Sequence, residues 1–317
     1  MVAYIVKRLA LAVVVILLDI AFLSVLSRLI PGDPVTAIFG QRASPALIKL
    51  VDQQMDVDKP LWSQVWNFVG RVVHGDLGVD FISNEQVTTL VWNALPYTLS
   101  LAFASLALAA LAALPLGVYA AAHPGGWFDR VTGLVTVGMI TVPPYVAGLL
   151  LTLVFSVHFH VFPAIGGGTF NDPGDYLLRL ILPSVALALT WVGYLSRLLR
   201  ASMLEVLGSN YVRTARAVGL PERTVFYKYA LKNAVIPTIA VLGVGLGNLL
   251  GGAVFIEVIF ARPGLGSLVY NAIQTRNYTV VRGGVLVIAV LFVLANLAAD
   301  LAYRVLDPRI RADAAGQ

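Results

Sequence analysis

The sequence predicts an all-α polytopic membrane protein with six transmembrane helices, and three observations lead there. Of its 317 residues, 58% are hydrophobic and only 12% are charged, against roughly a quarter charged in ordinary soluble domains. The apolar residues are gathered into long runs, and a bilayer core of about 30 Å takes about 20 of them per helical span. The chain also has no cysteine, which excludes disulfide frameworks, thiolate metal sites and a cysteine nucleophile.

The expected spans run over about 9–29, 97–121, 131–157, 180–203, 235–260 and 283–303. The first follows Lys7 and Arg8 but is too long for a signal-peptide core and has no small-x-small cleavage site after it, so it reads as a retained anchor. Six spans put both ends on one side.

Loop charge sets the orientation. Arg213, Arg216, Arg223, Lys228 and Lys232 lie between spans four and five, and Arg304, Arg309 and Arg311 lie in the tail; both regions belong in the cytoplasm. The segment between spans one and two carries Asp33, Asp52, Asp56, Asp58, Asp76, Asp80 and Glu85 against Arg42, Lys49, Lys59 and Arg71, and belongs outside. The net charge of +5 is therefore a property of the inner loops, and no nucleic-acid partner is expected.

The outer segment has two helix signals. Ser44-Pro45 pairs an N-cap residue with proline at the first helical position, and Leu47, Leu50, Val51 and Met55 follow at helical spacing. A second amphipathic stretch places Trp62, Val65, Trp66, Val69, Val72 and Val73 on one face. Such helices either lie in the outer headgroup layer or cap the spans.

The insertion over about 204–234 is long for a plain connection. Ser209-Asn210 starts a helix through Val218, Gly219 suits a left-handed stop, and Pro221 bars continuation. A second short helix is expected from Glu222 to Asn233, so that two helices joined at a glycine form a cytoplasmic knob. Charge alone is equally satisfied by a basic face on anionic lipid.

Here the residues carry a resemblance. Tyr211-Val212-Arg213-Thr214-Ala215-Arg216-Ala217-Val218-Gly219-Leu220, then Tyr229-Ala230-Leu231-Lys232-Asn233-Ala234 and Pro237, resemble the EAA loop of ATP-binding-cassette importer permeases in the dipeptide/oligopeptide/nickel permease family. Pro31-Gly32-Asp33-Pro34, Gly75-Asp76-Leu77-Gly78, Leu95-Pro96-Tyr97-Thr98-Leu99 and Arg262-Pro263-Gly264-Leu265-Gly266 are similar to its B-type subunit, whose outer segment between spans one and two this chain shares. Departures are Arg-Thr-Ala in place of Glu-Ala-Ala, Lys232 in place of a proline, Asp80 in place of a serine, and Asn277-Tyr278-Thr279 in place of Asp-Tyr-Pro.

The resemblance implies a type I importer permease fold with an extracytoplasmic insertion between helices 1 and 2. The chain divides into a transmembrane helix over 1–29, the extracytoplasmic segment 30–94, a five-helix core 95–305 with the coupling loop 204–234, and a cytoplasmic tail 306–317. It further implies a homologous C-type permease partner, two cytoplasmic ATPases using ATP and Mg, and an extracytoplasmic substrate-binding protein, in the bacterial inner membrane. The coupling positions would be Tyr211, Arg213, Thr214, Ala215, Arg216, Gly219 and Leu220. The cargo implied is peptides, with nickel complexes, glutathione or oligosaccharides as the alternatives within the same importer type.

No catalytic residues, metal ligands or cofactor-binding residues are expected in this chain. There is no Gly-x4-Gly-Lys-Ser/Thr run, His-Glu-x-x-His helix or Gly-x-Ser-x-Gly elbow. His158-x-His160 has no third ligand nearby in sequence. Gly243, Gly245, Gly247, Gly251 and Gly252 punctuate span five at spacings that bring helices close. Intramembrane carboxylates default to functional candidates: Asp19, Asp300 and Glu257 are these, and Glu257 with Asn248 is the candidate pair for the translocation path. A proton-coupled carrier built on those carboxylates is the competing mechanism, and it leaves the cytoplasmic knob unexplained.

Overall fold

The computed structural model describes residues 2–29 and 59–306. Pro31-Gly32-Asp33-Pro34, the helix expected after Ser44-Pro45 and the tail beyond Leu306 lie outside the described residues. The described chain is helical apart from turns and one isolated β-bridge between Val79 and Gln86. The described residues fall into two compact units, one comprising those within 1–99 and 261–293, the other those from 100–260 and from 294 to 306.

The helices are α1 (Val2–Leu29), α2 (Leu61–Val73), α3 (Val87–Ala122), α4 (Trp127–Thr141), α5 (Pro144–Leu151, continued by a π turn over Thr152–His158), α6 (Pro173–Leu207), α7 (Asn210–Ala217), α8 (Glu222–Ile259), α9 (Leu265–Gln274) and α10 (Tyr278–Leu306). Among the described residues α3, α6, α8 and Tyr278–Leu301 of α10 are long and apolar enough to cross a membrane, while Ala10–Leu26 of α1 is a shorter apolar stretch. The span expected over 131–157 is a bent pair instead: α4 and α5 meet at 103°. Pro143 and Pro144 lack N–H donors, and Val142 before them is extended at ψ 118, so the helix must stop there.

In the first unit, Ile20, Phe68, Val87, Val91, Leu265, Val280 and Leu286 share one core. Helix α2 is amphipathic as expected, but its faces differ from the expected pattern. Gln64 and Phe68 are buried and Val65, Val69 and Val72 pack on the core, whereas Trp62 and Trp66 point outward, 70% and 64% exposed.

Four of the quoted motifs meet in this unit. The Leu265 N–H donates to Thr98 Oγ1 at 2.8 Å, and the fully buried Arg262 lies over the Tyr97 ring, 5.8 Å from its centroid. The buried Asp80 carboxylate accepts from Ile82 N–H and Ser83 Oγ at 2.8 and 2.7 Å, and also from Asn277 Nδ2. Gly78 stands at φ +95, with Thr279 so near that a β-carbon would come within 2.6 Å of its Cγ2. The two departures at Asp80 and Asn277 are thus halves of one hydrogen-bonded clasp.

In the second unit α6 is central, packed on α4, α5 and α8. Asp172 caps it, accepting from the N–H groups of Gly174 and Asp175, with Pro173 at the first helical position. Glycines admit the close approaches: a β-carbon at Gly117 would lie 2.8 Å from the Ser196 carbonyl, and one at Gly193 2.7 Å from the Thr136 carbonyl. In α8, Gly243 backs onto Ala299 and Gly245 onto the Trp191 ring, so these two serve packing. Gly251 faces open space.

Candidate functional site

The knob is built from α7 and the start of α8. Ser209 precedes α7 in extended conformation, but its hydroxyl donates back to the Val206 carbonyl at 2.6 Å rather than capping the helix. Val212 and Ala215 are buried against Val225, with Val206, Leu207, Leu220 and Tyr229 around them. This fixes the helix by one apolar edge. Tyr211, Arg213, Thr214 and Arg216 are left on the open side, joined by Val218 at 74% exposure.

The end of α7 is a Schellman turn. The Leu220 N–H donates to the Ala215 carbonyl at 3.3 Å and the Gly219 N–H to the Arg216 carbonyl at 2.9 Å, with Gly219 at φ +79. Leu220 folds back onto the same apolar cluster as Ala215. Arg216 then grips Glu222 across the turn, Nε to Oε1 at 2.8 Å and Nη2 to Oε2 at 3.4 Å. Both groups are largely exposed, so the pair contributes about 0–1 kcal/mol and mainly sets the turn's geometry. Asn233 Nδ2 donates to the Tyr211 hydroxyl and the Tyr229 carbonyl, both at 3.0 Å, tying α7 to α8.

The second short helix expected from Glu222 to Asn233 is not separate. Its residues are the first part of one helix, Glu222–Ile259, with a π turn at Val225–Leu231 and Pro237 farther along. Val225 and Ala230 are the buried residues of that turn. No glycine or proline lies between Glu222 and Asn233 to end it, which is why the helix runs straight on into the fifth apolar stretch.

The coupling candidates Tyr211 through Leu220 are therefore brought into one element. The path candidates Asn248 and Glu257 are not part of it. Asn248 is exposed on α8, while Glu257 is fully buried. His160 is left-handed at φ +55, and among the described residues no group of three or more His, Asp or Glu side chains could hold a metal ion.

Sequence reasoning missed a second polar site. Asp129, in the first turn of α4, accepts from Arg200 Nη2 of α6 at 2.7 Å and from the Gly125 N–H at 2.9 Å. Arg200 Nε completes a bidentate fork onto the same carboxylate. The pair lines a cleft of about 400 Å³ with Thr132, Gly133, Val137 and Arg197. An acid and an arginine 71 residues apart show no pairing in sequence, though a charge in the first turn of an apolar helix is itself a signal.

Residues 113–312 match the family described as binding-protein-dependent transport system inner membrane component, and residues 1–102 match that described as binding-protein-dependent transport system membrane component, N-terminal. The chain is 38% identical over 310 residues to the probable D,D-dipeptide transport system permease of Escherichia coli (strain K12), covering 90% of this chain and 91% of that one. It is 34% identical over 333 residues to the dipeptide transport system permease of Alkalihalophilus pseudofirmus, covering 98% and 100%. Identity to the glutathione transport system permease of Pectobacterium atrosepticum is also 34%, over 311 residues and 98% and 99% of the two chains. Among solved structures, the inward-facing MetNI methionine ABC transporter shares the fold at a TM-score of 0.57 and 19% identity, covering 69% of this chain and 96% of that one. With a family match over more than half of its length and relatives aligned along nearly all of it, this chain belongs to the binding-protein-dependent transport system inner membrane components, the permease subunits of ATP-binding-cassette importers.

Proposed function

We propose that the chain is the B-type permease subunit of an importer that moves di- or oligopeptides, delivered by an extracytoplasmic binding protein, into the cytoplasm by alternating access. Relatives named for dipeptide transport support the cargo class. The glutathione permease relative supports glutathione, itself a small peptide, as the second reading.

The observation that carries the mechanism is the construction of α7. Its buried edge is welded to α8, its open edge presents Tyr211, Arg213, Thr214 and Arg216, and α8 continues without interruption into an apolar helix of 38 residues. In this reading the open edge docks in a cleft on a cytoplasmic ATPase. Ala215, Gly219 and Leu220 set the shape of the docking helix from behind. Closure of two such ATPases on Mg-ATP pushes α7, and α8 carries the displacement through the membrane. A homologous C-type permease completes the path, and both termini face the cytoplasm. The core over 95–305 performs the transport, and the segment 30–94 faces the binding protein. Asn248, exposed on α8, is open to the path; Glu257 would meet a cationic amine only if the spans uncover it.

The test is the purified complete complex. ATP hydrolysis should rise when the external protein is loaded with a peptide and should stay basal with the empty protein. Uptake by this chain alone in liposomes, driven by a pH step, would overturn the reading in favour of a gradient-driven carrier.

A further inference from the structure

We propose that the cleft between α4 and α6 binds the phosphate headgroup of an anionic phospholipid in the cytoplasmic leaflet. The inference rests on the reading that the α7 end of α6 faces the cytoplasm, and it concerns a different surface from the docking helix.

The volume, about 400 Å³, falls within the range of roughly 300–1,000 Å³ usual for small-ligand sites. Its charge is net positive. Asp129 neutralises Arg200, whereas Arg197 lines the cleft without an ion pair to any described residue. Arg130 is exposed one turn before Leu134, and both share by helical spacing the stripe of Val137, which lines the cleft. The Asp129 fork holds the Arg200 guanidinium still, so the lining has one fixed cation, Arg200, and a second, Arg197, with Arg130 beside the cleft on α4.

The layering along α4 matches a lipid better than a water-soluble anion. Trp127, 77% exposed, stands at the start of the helix where a tryptophan suits headgroup depth. Leu134 and Val137, 76% and 48% exposed, lie roughly 10–15 Å beyond Trp127 along the apolar part of the helix. A headgroup held by Arg130 and Arg197 would lay its acyl chain along these two residues. Arginine pockets between helices at the cytoplasmic surface are suited to such lipids. A peptide carboxylate would share the cationic groups but leave Leu134 and Val137 facing a polar path.

The complete importer complex is reconstituted in nanodiscs of phosphatidylcholine with phosphatidylglycerol, and the lipid retained after extraction is counted by native mass spectrometry. The wild type should retain phosphatidylglycerol in preference to phosphatidylcholine. The pair Arg130→Gln and Arg197→Gln should lower that retention about tenfold, as expected for lost charge-assisted hydrogen bonds. Gly133→Leu should lower it as well: a β-carbon there meets nothing within 4 Å, so the fold is kept while the larger side chain fills the groove. Wild-type retention in either variant, no preference in the wild type, or displacement of the lipid by added dipeptide would each overturn the proposal. Peptide-stimulated hydrolysis in phosphatidylcholine alone reports separately on the import reading, so the failure of one is distinguishable from the failure of the other.

Discussion

Ala215 and Arg213 are two positions apart and face opposite ways, which separates packing from docking. Ala215 is 5% exposed against Val212 and Val225, so Ala215→Trp overpacks the knob and should cost about 1–3 kcal/mol of stability. Loss of activity in that variant would therefore say little about docking. Arg213 is exposed, and Arg213→Glu should change stability by less than about 0.5 kcal/mol while reducing binding-protein-stimulated ATP hydrolysis severalfold. Unchanged stimulation with unchanged thermal unfolding would dismiss this face as the ATPase contact. The identity of the stop at Gly219 is readable in sequence because glycine before proline is a local signal. The facing of Ala215 is half readable, from spacing. The clasp between Asp80 and Asn277 is not readable at all, since 197 residues separate them; each departure can be noticed alone, but only the fold shows that they complement each other.

At the scale of elements, two glycines separate tight packing from open surface. Gly193→Ala would press a β-carbon against the Thr136 carbonyl at 2.7 Å, backbone that cannot give way cheaply, and should lower stability by about 1–3 kcal/mol. Gly251→Ala meets nothing within 4 Å and should raise stability by up to about 1 kcal/mol through helix propensity. Thermal unfolding of the two variants in one detergent checks both signs. The existence and order of the apolar helices were legible, because about 20 apolar residues in a row is a strong signal. Their breaks were less so. Pro143-Pro144 is a plain local stop, yet the apolar run continues across it, and hydropathy alone does not distinguish one span from two helices at 103°. The reverse holds at Asn233, where a short polar helix and an apolar span are expected to be separate and the backbone runs through as one helix, Glu222–Ile259.

At the scale of the whole molecule, the prediction concerns sidedness. A chain without cysteine accepts single reporters cleanly. Val218→Cys, on the open side of the knob, should react with a membrane-impermeant thiol reagent only in inside-out vesicles. Val73→Cys, 77% exposed at the end of α2, should react only in right-side-out cells. Reaction of both from one side would reverse the assignment made from loop charge. Loop charge asymmetry is what predicts this layout, and it is a sum over many residues rather than a single signal. The Asp129 and Arg200 site depends on one pair and had no such redundancy.

The π turn at Val225–Leu231 has a consequence of rotational phase. Such a turn holds one residue more than an α turn of the same rise, so α7 and the distal part of α8 are offset by about 100° from where an unbroken α-helix would put them. Deleting a single residue within Val225–Leu231 would restore α geometry without removing any surface of α7. The open edge of α7 would swing around the axis of α8, and under the proposed coupling a stroke delivered by an ATPase would arrive out of alignment.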